Sequence, residues 1–336
     1  MHTSSFADVR RRTRVNTVDS CRLYPDLLGS DVHAAFGRRA PLVVEIGFGN
    51  GGFFRDLARD HPDWNLLCVE IAAASITRGV GMIRREGLEN VRVFCGDGRF
   101  VVRDLVGPGQ LHRGYLNFPD PWPKERHQHR RLLQSPFFRL LSTRLDPDAG
   151  EFWFTTDHEE YFAFALEQAR ETGLFEIDTG TPPEAALRTK YAQRWQEQRK
   201  TIHHAIFRPS AVDPDPHESR LEVVEVPHAR LSGELDAVGV FAKQTHREDH
   251  GTVVLLDCAR TLDGSRLLFT VIADESDLRQ DLLIEARRAG SGAIYVELLA
   301  FGRPATTRLT RAAVTRVADW LETQGLRRVD DPAGSL

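Results

Sequence analysis

Hydrophobic residues arrive in short bursts from residue 41 onward, and the bursts alternate with stretches of helical spacing. Leu42-Val-Val-Glu-Ile46 is apolar except for one acid and reads as a strand buried on both faces. Phe53 to Ala58 then places apolar side chains at helical intervals. The strand pattern returns at Asn65–Glu70, Val91–Cys95, Leu111–Leu116, Glu151–Thr155, Phe175–Asp178 and Ile202–Phe207. The helix pattern returns at Ala72–Arg85, Phe100–Leu105, Leu132–Leu145 and Tyr161–Thr172. Gly87 closes the first of these, and Thr156-Asp157-His158-Glu159 supplies a cap for the last. This alternation predicts an α/β architecture: a doubly wound, mostly parallel sheet with helices on both faces. Ligands of such sheets bind at the carboxyl ends of the strands.

Outside that span the pattern changes. Residues 1–40 carry Arg10, Arg11, Arg12 and Arg14 among serines and threonines, and read as a basic arm with a short helical segment near Asp31–Phe36. The α/β domain covers 41–208. Residues 209–220 are rich in proline and charge and read as a linker. Beyond them, Leu221–Val226, Val238–Lys243, Thr252–Cys258, Leu267–Val271 and Ala293–Leu299 read as strands. Leu278–Ala289 and Thr310–Gln324 read as helices, which makes 221–330 a smaller C-terminal α+β domain. Asp274, Glu275, Asp277 and Asp281 gather around the start of the first of those helices and read as caps and solvated surface.

Composition narrows the class without naming it. With 336 residues, 41% hydrophobic and 27% charged, the chain has room for about two domains. A formal net charge of -4 means that any contact with nucleic acid rests on local patches, not on a global cationic field. Cys21, Cys68, Cys95 and Cys258 are scattered, with no CxxC and no metal-ligand spacing. They fit a reducing compartment, without disulfides or a structural metal. No apolar run approaches the ~18–20 residues of a membrane span, and the N-terminal arginines precede no apolar stretch of a secretory signal. The expected location is the cytoplasm.

The candidate chemistry sits where strands end. Gly47-x-Gly49-x-x-Gly52 formally matches a dinucleotide turn, and Glu45-x-Gly47-x-Gly49-x-Gly51 equally matches an S-adenosylmethionine turn. A carboxylate beside the turn repels a pyrophosphate but suits a ligand bearing an ammonium and a sulfonium. Glu70 ends the next strand and suits a pair of ribose hydroxyls; Asp97, between Gly96 and Gly98, suits an adenine amino group or serves only its turn. The fourth strand runs into Asn117-Phe-Pro-Asp-Pro-Trp-Pro-Lys124, where three prolines rule out helix and ladder. That loop presents Asn117, Asp120, Phe118 and Trp122, and Lys124, Arg126, His127, His129, Arg130 and Arg131 follow at once. An acid, flat rings and a cationic rim suit a nucleobase on a phosphate backbone; a proline-rich crossover before a solvated basic helix accounts for the same residues.

With those residues in view, the sequence resembles the bacterial tRNA (guanine-N7)-methyltransferases. The matching pieces are Glu45-Ile-Gly-Phe-Gly-Asn-Gly51, Val69-Glu70, Gly96-Asp97-Gly98, Asn117 to Lys124 with Arg126-His127 and Arg130-Arg131, Thr156-Asp157 with Tyr161, and Thr189-Lys190-Tyr191. They span about residues 41–208. The resemblance implies a Rossmann-like class I methyltransferase fold and S-adenosylmethionine held by the Gly47 and Gly49 turn with Glu45, Glu70, Asp97 and Asn117 or Asp120. It implies that Asp120 is catalytic, that Lys124, Asp157 and the Thr189 segment contact tRNA, and that the product is 7-methylguanosine in the variable loop. One position departs: the family usually places a glutamate where this chain has Ala192, so either a neighbour such as Glu197 replaces it or one guanine contact is missing.

Guanine N7 carries an in-plane lone pair and no proton, so an in-line displacement needs positioning more than a strong base. Arginines from 126 to 144 are the expected phosphate contacts. Two other readings remain open at this point. One is a non-catalytic RNA-binding module on a methyltransferase scaffold, suggested by Ala192 and the extra domain. The other is a nicotinamide-dependent dehydrogenase, which Glu45 disfavours.

Overall fold

The computed structural model describes residues 21–182, 187, 200–214, 221–275 and 277–329. The arginine-rich residues 10–14, the positions Thr189, Lys190, Tyr191, Ala192 and Glu197, and residues 215–220 of the expected linker lie outside the described residues. The chain divides into two compact units. One comprises residues up to 23, 31–98 and 106–217; the other comprises 24–30, 99–105 and the chain from 218 onward.

The first unit is built on an eight-stranded sheet. Its strands are β1 (Arg22–Leu23), β2 (Leu42–Ile46), β3 (Asn65–Glu70), β4 (Val91–Cys95), β5 (Leu111–Asn117), β6 (Glu151–Thr156), β7 (Phe175–Thr179) and β8 (His203–Pro209). Their order is β1-β4-β3-β2-β5-β6-β8-β7. β8 runs antiparallel to both β6 and β7, and the other neighbours are parallel. The winding direction reverses between β2 and β5, which is where an open α/β sheet leaves a crevice for a ligand. β1 was not legible in the hydrophobic pattern, because two residues carry no period.

Local chemistry explains the helices. α1 (Gly52–Asp60) starts behind Gly51, whose φ of 82° only glycine adopts without strain, and buries Phe53, Phe54, Leu57 and Ala58. Those side chains join Val43, Leu66, Cys68, Ile76 and Tyr115 in one core cluster. Each buried ring or leucine contributes about 1.5–3 kcal/mol, more than the propensity of so short a helix supplies. α2 (Ala73–Glu86) ends on left-handed Gly87. α3 (Ser135–Arg144) has proline in its first turn, and α4 (Glu159–Thr172) is capped by His158, whose Nδ1 accepts the Tyr161 N–H at 3.2 Å.

The second unit holds an antiparallel sheet of seven strands: β9 (His228–Ser232), β10 (Gln244–Glu248), β11 (Gly251–Arg260), β12 (Arg266–Glu275), β13 (Leu278–Arg288), β14 (Ile294–Leu298) and β15 (Arg327–Arg328). α5 (Arg308–Thr323) packs Leu309, Ala313, Val314, Val317 and Leu321 into its core. The expected helix over Leu278–Ala289 is strand β13. Its inward residues are Leu278, Gln280, Leu282, Ile284 and Ala286, a period of two. Gln280 hid that period by being polar; its amide pairs with both the N–H and the carbonyl of Ala305, which makes burial tolerable. The expected strands at 221–226 and 238–243 are absent, apart from one bridge between Val223 and Thr307. The acids take other work. Glu275 accepts the Thr307 hydroxyl at 2.7 Å where α5 begins, and Asp277 pairs with Arg103 at 2.8 Å. Asp274 and Asp281 are exposed.

Candidate active site

The turn after β2 is shaped by three left-handed glycines: Gly47 (φ 76°), Gly49 (φ 56°) and Gly51 (φ 82°). A Cβ on Gly51 would come within 2.6 Å of the Phe54 ring, whereas one on Gly47 or Gly49 would meet nothing within 4 Å. The first two glycines are therefore demanded by conformation alone, and open space lies beside them. Glu70 ties this turn to the end of β3. Its Oε2 accepts the Gly49 N–H at 3.0 Å, and its Oε1 accepts the Ile71 and Ala72 N–H groups at 2.8 and 3.0 Å. The Glu70 carbonyl accepts the Gly96 N–H at 3.1 Å, which draws in the Gly96-Asp97-Gly98 turn. Gly98 is required by packing, since a Cβ there would meet Ile46 at 2.5 Å.

Glu45 is the unusual member of the group. It faces Cys68 and Tyr115 across the β2–β3 and β2–β5 pairs and is only 4% exposed. Among the described residues its Oε2 is buried without a hydrogen-bond partner. Burial first, and the Glu70 carboxylate second, push its pKa up to about 8. A buried carboxyl with a bare oxygen is costly unless a donor or a cation completes it. In the next row, Asn117 at the end of β5 is half-buried, and both polar atoms of its amide are buried without a partner among the described residues. It lies opposite Thr155, and Thr155 lies opposite His204, whose Nδ1 is 3.0 Å from the Thr155 hydroxyl. Burial pushes the His204 imidazole down to about 4, so it is neutral at pH 7.

Beyond Asn117 the chain enters the proline loop. Phe118 and Trp122 adopt left-handed conformations, φ 51° and 43°, although neither is glycine. Such residues cost of order 1–3 kcal/mol each unless their surroundings fix them. Here the Phe118 N–H donates to the Thr155 carbonyl at 2.7 Å, and Arg131 donates through Nε to the Pro121 carbonyl at 2.8 Å. Asp120 stands exposed between the two anchors.

Residues 39–205 match the family described as a putative methyltransferase. A tRNA (guanine-N(7)-)-methyltransferase of Thermus thermophilus is 48% identical over 90% of this chain and 95% of its own length. The chain belongs to the tRNA (guanine-N(7)-)-methyltransferase family. A member from Deinococcus radiodurans is 38% identical over 91% of this chain and 94% of its own length, so both relatives extend through the second unit. A member from an Exiguobacterium strain is 34% identical over 55% of this chain and 89% of its own length, which leaves it little room for that unit.

Across the site, Glu45, Glu70, Asp97, Asn117 and Asp120 all come from the carboxyl ends of adjacent strands β4, β3, β2 and β5 of one sheet. Lys124 is exposed at the start of a 3-10 turn (Glu125–Arg130). Asp157, just after β6, forms an ion pair with Lys200 at 3.0 Å. Thr189 lies outside the described residues. The expected run of phosphate-binding arginines from 126 to 144 is broken. Arg139 pairs with Asp213, and Arg131 and Arg144 are buried. Arg126 and Arg130 are exposed, with Arg130 lying 4.8 Å over the Trp122 ring and His127 stacked near the same ring. The Trp122 ring is thus flanked by side chains of its own segment. Directly after Glu70, Ile71 is a large apolar side chain left 75% exposed, a feature that its place in an apolar run did not announce.

Proposed function

We propose that this chain transfers a methyl group from S-adenosylmethionine to N7 of guanine in the variable loop of tRNA. The observation that carries this reading is the bare, buried Glu45 oxygen beside an open glycine turn. A pyrophosphate would hold this carboxyl in its protonated form and gain no charge pairing there, whereas the cationic end of adenosylmethionine would stabilise the ionised carboxylate. Glu70 keeps acceptor capacity beyond its three backbone donors and suits ribose hydroxyls. Ile71 offers an apolar surface, and Asp97 a carboxylate, to the purine.

The donor supplies an electrophilic methyl group, which the N7 lone pair accepts without loss of a proton. The protein therefore needs no strong base, and its residues work by placement and by charge. Asp120 stabilises the purine ring as it gains positive charge. The unpartnered Asn117 amide offers a donor and an acceptor beside the reacting edge. Exposed Lys124, Arg126 and Arg130 hold tRNA phosphates, with Asp157 and Thr189 further along the same substrate. A tRNA substrate and four free thiols support a cytoplasmic location. The test is to incubate the protein with methyl-labelled adenosylmethionine and bulk tRNA, digest, and identify the labelled base. Label in 7-methylguanosine is the expected result; label in another base, or none, refutes the assignment.

A further inference from the structure

We infer that Arg131 is a positioning residue for Asp120, not one of the tRNA-binding arginines its sequence context suggests. This inference rests on the reading of Asp120 as the group beside the reacting guanine. Arg131 closes a basic run in which Lys124, Arg126, His129 and Arg130 are exposed, yet it is itself only 2% exposed. Its guanidinium lies 5.0 Å from the Tyr161 ring centroid and 4.9 Å from that of Phe164, both on α4. Its Nε donates to the Pro121 carbonyl at 2.8 Å, and a nitrogen of the same group lies 3.5 Å from the Trp122 carbonyl. Among the described residues no carboxylate pairs with it.

Pro121 follows Asp120 directly, and the prolines at 119 and 121 make the segment stiff. A stiff segment transmits the position of its ends. One end is fixed by the Phe118 N–H on the Thr155 carbonyl, and the other by the Arg131 fork on Pro121 and Trp122. Trp122 is held at φ 43°, a conformation that relaxes unless something opposes it. The fork supplies that opposition, because a planar guanidinium can address two successive carbonyls at once. Arg131 is in turn fixed by its own chain: its N–H donates to the Gln128 carbonyl at 2.9 Å, and its carbonyl accepts from the Gln134 amide at 2.6 Å. The aromatic faces of α4 stabilise the cation where water does not reach it. A lysine keeps the charge but has no planar fork, so it leaves the loop free to relax.

The test uses Arg131→Lys, Asp120→Asn, Arg130→Ala and Phe164→Leu in the full chain, with three readouts: kcat and KM with tRNA, the salt dependence of tRNA binding, and hydrogen exchange at the Asp120 and Trp122 amides. Arg131→Lys should lower kcat by about 10²-fold, the effect of a displacement of roughly 1 Å at a reacting group. Its KM for tRNA and its salt slope should stay near wild type, while exchange at Asp120 and Trp122 speeds up and exchange in β2 and β5 does not. Arg130→Ala should do the reverse, raising KM and flattening the salt slope with kcat retained. Phe164→Leu removes one aromatic face without touching Arg131 and should give a smaller loss of the same kind. Wild-type kcat in Arg131→Lys, with Asp120→Asn inactive, would overturn the inference and leave the Asp120 reading standing. Full activity in Asp120→Asn would remove both. A loss carried by KM and the salt slope would return Arg131 to the phosphate contacts, and faster exchange throughout the sheet would make it a core residue without a positioning role.

Discussion

The two loops that flank the site solve one conformational problem in opposite ways. Both need backbone at positive φ. The loop after β2 meets the need with Gly47, Gly49 and Gly51, which adopt it at no steric cost. The loop after β5 meets it with Phe118 and Trp122, which do not, and then holds them with hydrogen bonds from Phe118 to Thr155 and from Arg131 to Pro121. The difference follows from what each loop presents. The glycine turn presents backbone with open space beside it, which the proposed function assigns to the methyl donor. The proline loop presents a side chain, Asp120, whose proposed role depends on where it is held. Strain that is opposed by specific anchors is a way of fixing a position, whereas glycine only permits one.

That contrast can be broken at several points, and the largest effect lies at the presented side chain. Asp120→Ala should lower methyl transfer by about 10²–10³-fold with an unchanged melting curve, because the residue is exposed and its loss is a loss of electrostatic stabilisation. A variant with wild-type activity would show that the loop holds nothing of catalytic use. On the other side, Gly51→Val should destabilise the fold by about 2–4 kcal/mol in denaturant titration, since φ is 82° and the Phe54 ring stands 2.6 Å from the new Cβ. Gly47→Ala meets open space and should cost only the conformational share, about 1 kcal/mol, while weakening donor binding more than it weakens the fold.

Glu45 gives a pH signature. Its folded pKa of about 8 lies above its ordinary value of 4.5, so the protonated form is favoured by folding. Without donor, that contribution is complete below about pH 4.5 and is lost as pH rises through 8, amounting to a few kcal/mol by linkage. Glu45→Gln should flatten the melting temperature across this window and weaken donor binding by roughly 10–100-fold, the worth of one buried charge-assisted contact. The smallest effect is expected at Trp122→Gly. It relieves the left-handed strain, which stabilises by up to ~1 kcal/mol, but removes the ring under Arg130, and the two changes should nearly cancel in a thermal melt.

Much of the first unit was legible because its strands are buried on both faces and its helices are amphipathic. The apolar runs from Leu42 to Ile46 and from Asn65 to Glu70 admit few alternatives. The acids proposed for the site, Glu45, Glu70 and Asp97, stand out for the same reason, as carboxylates at the ends of apolar runs. What stayed hidden depends on side chains that contradict their own type. Gln280 faces the core and concealed a strand; Arg131 is buried within a basic run and concealed a brace. Neither burial is encoded locally, because the groups that satisfy them, Ala305 for one and the Pro121 carbonyl with the rings of Tyr161 and Phe164 for the other, lie outside any short window. The positive φ at Phe118 and Trp122 was equally invisible, since nothing in an aromatic residue announces it.

In the proposed function Glu45 waits as a buried carboxyl for a cationic donor. Its titration can be followed by carboxyl carbon resonance in protein labelled at glutamate, first free and then with adenosylmethionine. The free protein should give a midpoint near 8, and saturation with the donor should bring it down by two or more pH units. A midpoint near 4.5 in the free protein, or one that stays near 8 when the donor is bound, would contradict the account.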